Sequence, residues 1–414
     1  MSTINETAAP PQNPFLANQG PQTAGDYIRG YFKRVRAGDL GSLPIILGLV
    51  VIGVIFQSQN DNFLTPLNLV NLIVQMAGIA TIAYGLVFIL LLGEIDLSVG
   101  YVSAVAAVGM TLLLREPNNW PWYLAVAAAL VAAACIGLLH GLIIVTFQVP
   151  SFVVTLAGFL AWNGVVLIMI GGGGTVIIQD PVIKGITKQF LPEIWGWLAA
   201  AAFIGFFALS QITQVLSRKR QGLSTKPLQI IGVQMLLLAL IVGGAVYVAN
   251  QDRGVPVVGI ILMILLIVLT FVAEQTRFGR YVYAVGGNKE AARRAGIAVE
   301  RIRVIVFMIS STMAGAGGII LASRLSSVDT NAGGGNLLLN SIAAAVIGGT
   351  SLFGGSGRVS SAILGALVIA SVDNGMGLLG LSSGIKFIIT GLVLLTAVIV
   401  DALSRRTQKR SGIA

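Results

Sequence analysis

The sequence predicts an all-α polytopic membrane protein of about 10–12 transmembrane helices in two loosely similar halves, some helices broken or short. Composition removes the soluble classes first. Of 414 residues, 56% are hydrophobic and only 10% charged, and the mean hydropathy is +0.89, outside the range of soluble globular domains. Apolar runs of about 20 residues, the length that crosses a hydrocarbon core, recur from Leu43 to Leu403. The 51 glycines suit helices in lipid, whose backbones approach closely at small residues.

Residues 1–42 form a polar tail rich in Pro, Gln and Asn, expected to be disordered at its start. No apolar run precedes Leu43, so no cleavable signal peptide is expected, and Tyr27–Arg36 suits a short basic helix lying on the bilayer. The transmembrane domain runs over 43–404 and a basic tail over 405–414. Its expected spans are 43–58, 67–92, 97–114, 122–147, 152–171 and 194–216, then 228–249, 255–273, 304–322, 337–352, 359–374 and 384–403. The runs 337–352 and 359–374 are short, because about 16 residues rise only about 24 Å. Gly348-Gly349 and Gly354-Gly355-Ser356-Gly357 interrupt them, so a broken or re-entrant element is expected there.

The formal charge of +10 is explained by topology rather than by nucleic acid. With the N-terminus inside, 20 of the 26 basic residues fall in cytoplasmic segments, leaving Arg115, Lys184, Lys188, Arg253, Arg324 and Lys386 outside. That bias follows the positive-inside rule and makes both termini cytoplasmic. An internal similarity is also visible. Ala83–Val105 and Ile342–Gly365 each read as an apolar helix, a glycine-marked break and a small-residue helix, a plan that in paired halves flanks transport routes.

The largest internal polar segment is the loop 274–303. Gly286-Gly287-Asn288 suits a turn, with Asn288 as N-cap of a short helix, Glu290 in its first turn and Gly296 as a left-handed stop. Ala291, Ala292 and Ala295 supply a small apolar surface, shaped for a partner's groove or merely part of a solvated basic loop.

Polar residues inside spans are few. Asn71 and Gln75 share one face of the second span and Asn163 lies in the fifth, so all three are candidates to line a route for an uncharged polyhydroxyl cargo, or else to hydrogen-bond helices together. Glu94 and Asp96 sit at the end of the second span, where capping of the next helix competes with gating. Asp373 and Asn374 lie at an outer helix end, between capping and an outer gate. Arg324 falls in an outer loop, where an external partner would dock.

Cys135 and His140 stand singly in apolar runs, which excludes disulfides and a multi-ligand His/Cys metal site. No Gly-Lys dipeptide occurs, so the chain carries no Walker A phosphate loop.

Several segments resemble, in order, those of permease subunits of bacterial ATP-binding-cassette importers for ribose, xylose and related simple sugars. They are GEIDLSVG at Gly93–Gly100, VPSFVVTLAG at Val149–Gly158, GGNKEAARRAGI at Gly286–Ile297, IGGTSLFGG at Ile347–Gly355 and SVDNGM at Ser371–Met376. Glu94 and an insertion over about 193–255 are most similar to the xylose-transporting branch. The resemblance implies a homodimeric inner-membrane permease for D-xylose, or for ribose, another simple sugar or a nucleoside. It further implies a periplasmic sugar-binding protein and cytoplasmic ATPase subunits that hold ATP and Mg, with no cofactor on this chain. Asn288–Gly296 then becomes the coupling helix. An ion-coupled secondary transporter is the main rival, but its acids or histidines belong in mid-span, whereas here the acids cluster at expected span ends and His140 lacks a charged neighbour in its own helix. An integral-membrane enzyme finds no catalytic constellation to support it.

Overall fold

The computed structural model describes residues 41–171, 174–220 and 227–410, with Gly25, Arg29 and Thr225 besides. Apart from Arg29, the expected surface helix at Tyr27–Arg36 lies outside the described residues. The first helices are α1 (Leu43–Gln59), α2 (Pro66–Leu91), α3 (Val99–Leu114), α4 (Trp122–Thr146) and α5 (Ser151–Ile170). Strand β1 (Thr175–Ile177) and α6 (Pro181–Lys188) precede α7 (Glu193–Arg220), α8 (Leu228–Asn250) and α9 (Val257–Gln275). Then come α10 (Arg277–Gly287), α11 (Lys289–Arg294), α12 (Val299–Leu325), β2 (Ser327–Asp329), α13 (Leu337–Ile347), α14 (Val359–Leu378) and α15 (Ser383–Arg410). Eight of them (α2, α4, α5, α7, α8, α9, α12 and α14) are long and apolar enough to cross a membrane.

Burial sorts these helices. The most apolar stretch of α2 is 78% buried, whereas those of α7 and α8 are each 6% buried. So α2 lies in the core, while the inserted pair α7–α8 is left to lipid. Around α12 gather α2, α3 and α4, admitted by its glycines. A Cβ on Gly318 would strike the Ser103 carbonyl oxygen of α3, and one on Gly137 of α4 would strike that of Phe307. Such contact is possible only without side chains, which is how lipid-embedded helices gain dispersion energy.

The loop 274–303 defines one end of the bundle, called here the loop end. Helix α2 opens at the far end, where Thr65 Oγ1 accepts from the Asn68 amide at 3.4 Å and Pro66 takes the first turn. It closes at the loop end in a Schellman turn. Gly93, at φ +72°, donates to Leu90 O (2.9 Å), and Glu94 donates to Ile89 O (3.2 Å).

The expected span 337–352 is corrected: its helix covers only the 11 residues of α13, about 16 Å of rise and too short to cross. Non-helical chain completes the passage, with Gly333 pressed on the Gly100 backbone at the start of α3. Such backbone is tolerated at that depth because protein surrounds it. The two breaks expected from the internal similarity meet at the loop end, where Gly355 N donates to Leu91 O (2.8 Å) and Gly354 lies against Gly93.

Residues 174–192, in the stretch that the sequence leaves without a span, fold at the far end. There β1 pairs antiparallel with β2, Val176 opposite Val328, and Asp180 caps α6 by accepting from Val182 N and Ile183 N, both at 2.9 Å. The turn expected at Gly286-Gly287 is instead the end of α10. Lacking a Cβ, Gly286 lets that helix press on the Leu91 carbonyl.

Candidate transport cavity and coupling surface

At the far end, a cavity of about 450 Å³ opens between α2, α6, the segments before α7 and α9, and the last turn of α12, which holds Arg324 in place of the expected outer loop, within the size range of small-molecule sites. Its walls are Asn71, Val74, Gln75, Thr187, Lys188, Phe190, Arg253 and Arg324. Asn71 and Gln75 project together because they are one helical turn apart on α2. Arg253 reaches across from the start of α9: its Nη2 donates to Asn71 Oδ1 (2.8 Å), its Nε to Asp252 (2.8 Å), and its guanidinium lies 4.4 Å over the Phe190 ring. A backbone bridge between Phe190 and Pro256 brings this segment against the start of α9.

Behind this wall runs an amide cluster. Asn68 and Asn374 exchange hydrogen bonds (2.8 and 2.9 Å), and Asn374 Nδ2 also donates to Gln75 Oε1 (3.2 Å). Asn374 thus lies inside α14 with its amide spent on α2, which corrects the capping alternative for that residue. Asp373 is exposed and acts electrostatically on Arg324. Asn163 lies half-buried on α5, outside the cavity lining, and does not join Asn71 and Gln75.

Sequence reasoning assigned no role to Lys188, Arg253, Thr187 or Phe190. A signal existed for two of them: Lys188, Arg253 and Arg324 are three of the six basic residues that break the positive-inside bias, and all three line this cavity.

At the loop end, Asn288 Oδ1 accepts from the Ala291 amide (2.9 Å), and Gly296 at φ +83° closes α11 with Ile297 N donating to Ala292 O (3.1 Å). Ala292 is buried, while Glu290, Ala291, Ala295 and Gly296 are exposed. Arg293 ties the helix down, 2.9 Å from Glu290 and 2.7 Å from Glu300. Beneath it, Tyr283 donates its hydroxyl to Gly357 O (2.8 Å). Burial, reinforced by Glu274 and opposed by Arg358, pushes that phenol above its ordinary range.

Neither acid of the first break is the N-cap residue of α3, which is Ser98, although Asp96 takes up that residue's amide. Glu94 Oε1 lies 2.6 Å from Arg303 Nη2. Asp96, 1% exposed, accepts from Ser98 N (3.0 Å), Ser98 Oγ (2.6 Å) and Ser310 Oγ (3.1 Å). The expectation that His140 lacks a charged neighbour holds within its own helix but fails in space, because Ser98 Oγ, 3.3 Å from His140 Nδ1, links it to Asp96. The reason is that the α2–α3 break folds back between α4, α5 and α12 and carries its acid inside.

Residues 68–398 match the family described as branched-chain amino acid transport system / permease component. The chain is 37% identical to the xylose transport system permease protein XylH of Escherichia coli over 91% of its length and 95% of that protein's. XylH of Haemophilus influenzae is 35% identical over 90% of this chain and 99% of its own length. The ribose import permease protein RbsC of Escherichia coli is 33% identical over 90% and 96%. No solved structure matches it. Spanning helices, paired glycine breaks and end-to-end likeness agree, and the chain belongs to this family of transport-system permease components.

Proposed function

We propose that the chain is the membrane-spanning permease of an ATP-binding-cassette importer of monosaccharides, with D-xylose as cargo delivered by a periplasmic binding protein. The carrying observation is the likeness to xylose and ribose permeases across nine-tenths of the chain. The geometry supports it. Asn71 and Gln75 offer amides to the hydroxyls of an uncharged sugar, and Arg324 at the rim offers a cation to a carboxylate of the binding protein. The polar cluster of Asn374, with Asp373 beside it, forms the outer gate, and Asn163 lines the route away from this cavity.

In this reading the permease sits in the bacterial inner membrane with both termini cytoplasmic and pairs as a homodimer. Cytoplasmic ATPase subunits hold ATP and Mg and receive α11 in a groove. Their closure moves α11 and biases the bundle between outward and inward openings. The chain's own residues need bind sugar only weakly, since tight bonds in one state would slow release in the next.

One observation favours a second reading. The Asp96–His140 cluster is the kind of buried acid and histidine that ion-coupled transporters use. Proteoliposomes holding the chain, its ATPase and binding protein discriminate the two. Xylose uptake is expected to need ATP and no ion gradient, and to exceed ribose uptake. Uphill uptake by the chain alone on a proton or sodium gradient overturns the proposal.

A further inference from the structure

Asp96 is 1% exposed and His140 is buried with it, and the bonds around them run in one direction. Trp162 Nε1 donates to His140 Nε2 at 3.1 Å, so that nitrogen is an acceptor and the ring proton sits on Nδ1. His140 Nδ1 then donates to Ser98 Oγ (3.3 Å), and Ser98 Oγ donates to Asp96 Oδ1 (2.6 Å). Protonating His140 Nε2 would expel the indole donor. The chain therefore works as a fixed link between α5, α4 and the α2–α3 break, with Ser310 adding α12, rather than as a proton relay. Packing fixes the ring as well, because a Cβ on Gly158 would come 2.6 Å from His140 Nε2.

The same break faces the loop end. Gly286 of α10 presses on Leu91 O, Gly354 lies on Gly93, and Glu94 pairs with Arg303. On its inner side Ile95 N donates to Ser151 Oγ (3.3 Å), and Thr155 Oγ1 donates to Ile95 O (3.2 Å). A displacement of the cytoplasmic loop thus arrives first at residues 93–98, and the bonded chain distributes it to three spanning helices.

We propose that His140 and Trp162 are positioning residues for coupling: through Ser98 and Asp96 they make α4, α5 and α12 move as one body with the break when the loop is pushed. This rests on the importer reading above. Loss of His140 leaves Asp96 with all three of its donors, Ser98 N, Ser98 Oγ and Ser310 Oγ, so the fold is expected to survive while force transmission weakens.

The test measures sugar uptake and ATP hydrolysis together in proteoliposomes of the complete complex. His140→Leu, which removes the bonds to both Trp162 and Ser98, is expected to assemble normally and to lower uptake per ATP by at least about fivefold, the factor one neutral hydrogen bond carries. His140→Gln, which can accept from Trp162 and donate to Ser98, is expected to restore most of it. Trp162→Phe is expected to fall in the same direction, and the double variant His140→Leu/Trp162→Phe to be no worse than His140→Leu alone. Should His140→Leu not assemble, Trp162→Phe and His140→Gln decide. An unchanged uptake per ATP in Trp162→Phe, or a double variant that multiplies the two losses, overturns the inference. A wild-type complex without ATP-driven uptake overturns the importer reading itself.

Discussion

Removing Glu94 is expected to destabilise the chain by about 3–5 kcal/mol, the cost of leaving one member of a buried ion pair alone. The carboxylate lies 2.6 Å from Arg303 Nη2, and the two side chains are only 14% and 12% exposed. Arg303 Nε is buried without a hydrogen-bond partner, so Glu94 is the only acid paired with this guanidinium among the described residues. Two unit charges about 4 Å apart at an effective dielectric of about 20 interact by about 4 kcal/mol, which agrees with that range. Replacing both partners by apolar groups removes the orphan along with the pair, so Glu94→Leu/Arg303→Leu is expected to lie within about 1 kcal/mol of wild type. Denaturant unfolding in detergent, followed by the fluorescence of the five tryptophans, reads the midpoints of the singles and the double. If the costs of Glu94→Leu and Arg303→Leu simply add in the double variant, the ion-pair reasoning is wrong.

Three further outcomes follow from local geometry. Asn288→Ala deletes the side-chain acceptor for the Ala291 amide and is expected to cost α11 about 1 kcal/mol. Amide hydrogen exchange over 288–296 should quicken about fivefold, and unaltered exchange would show that the cap holds nothing. Gly318→Leu is expected to block assembly, because the Ser103 backbone already occupies the Cβ position, while Gly391→Leu on the open face of α15 is tolerated; equal yields of both in membranes would contradict the packing. Arg324→Glu is expected to slow uptake at low binding-protein concentration and to recover at saturation, since a rim charge acts mainly on encounter. Transport unaffected at low concentration removes its docking role.

Much of the fold was legible because the signals are local. Hydropathy accumulates residue by residue, so the long spans were visible wherever a run of about 20 apolar residues occurred. Asn288 and Gly296 mark the ends of α11 because a cap needs only a short side chain at one position and freedom for positive φ at another. The short helix α13 escaped a full reading: an apolar composition cannot tell a helix from buried irregular chain, and only the contact of Gly333 with Gly100 shows where the missing length lies. Residues 181–188 were hidden for the opposite reason, since eight amphipathic residues at a bilayer face carry no hydropathy signal.

The sites were less legible. Asn71 and Gln75 could be paired from their spacing, but Arg253 reaches Asn71 across 182 positions and Asn68 meets Asn374 across 306. Asp96 read as a residue at a span end, and the fold carried it inside.

The sequence by itself determined that the chain is a bundle of lipid-crossing helices, where it breaks, and that no phosphate loop is present. Each of these is a property of a short stretch of chain. Only the tertiary structure decided which polar groups meet, because in lipid a side-chain donor or acceptor has no water to turn to and finds its partner on whichever helix the packing brings beside it.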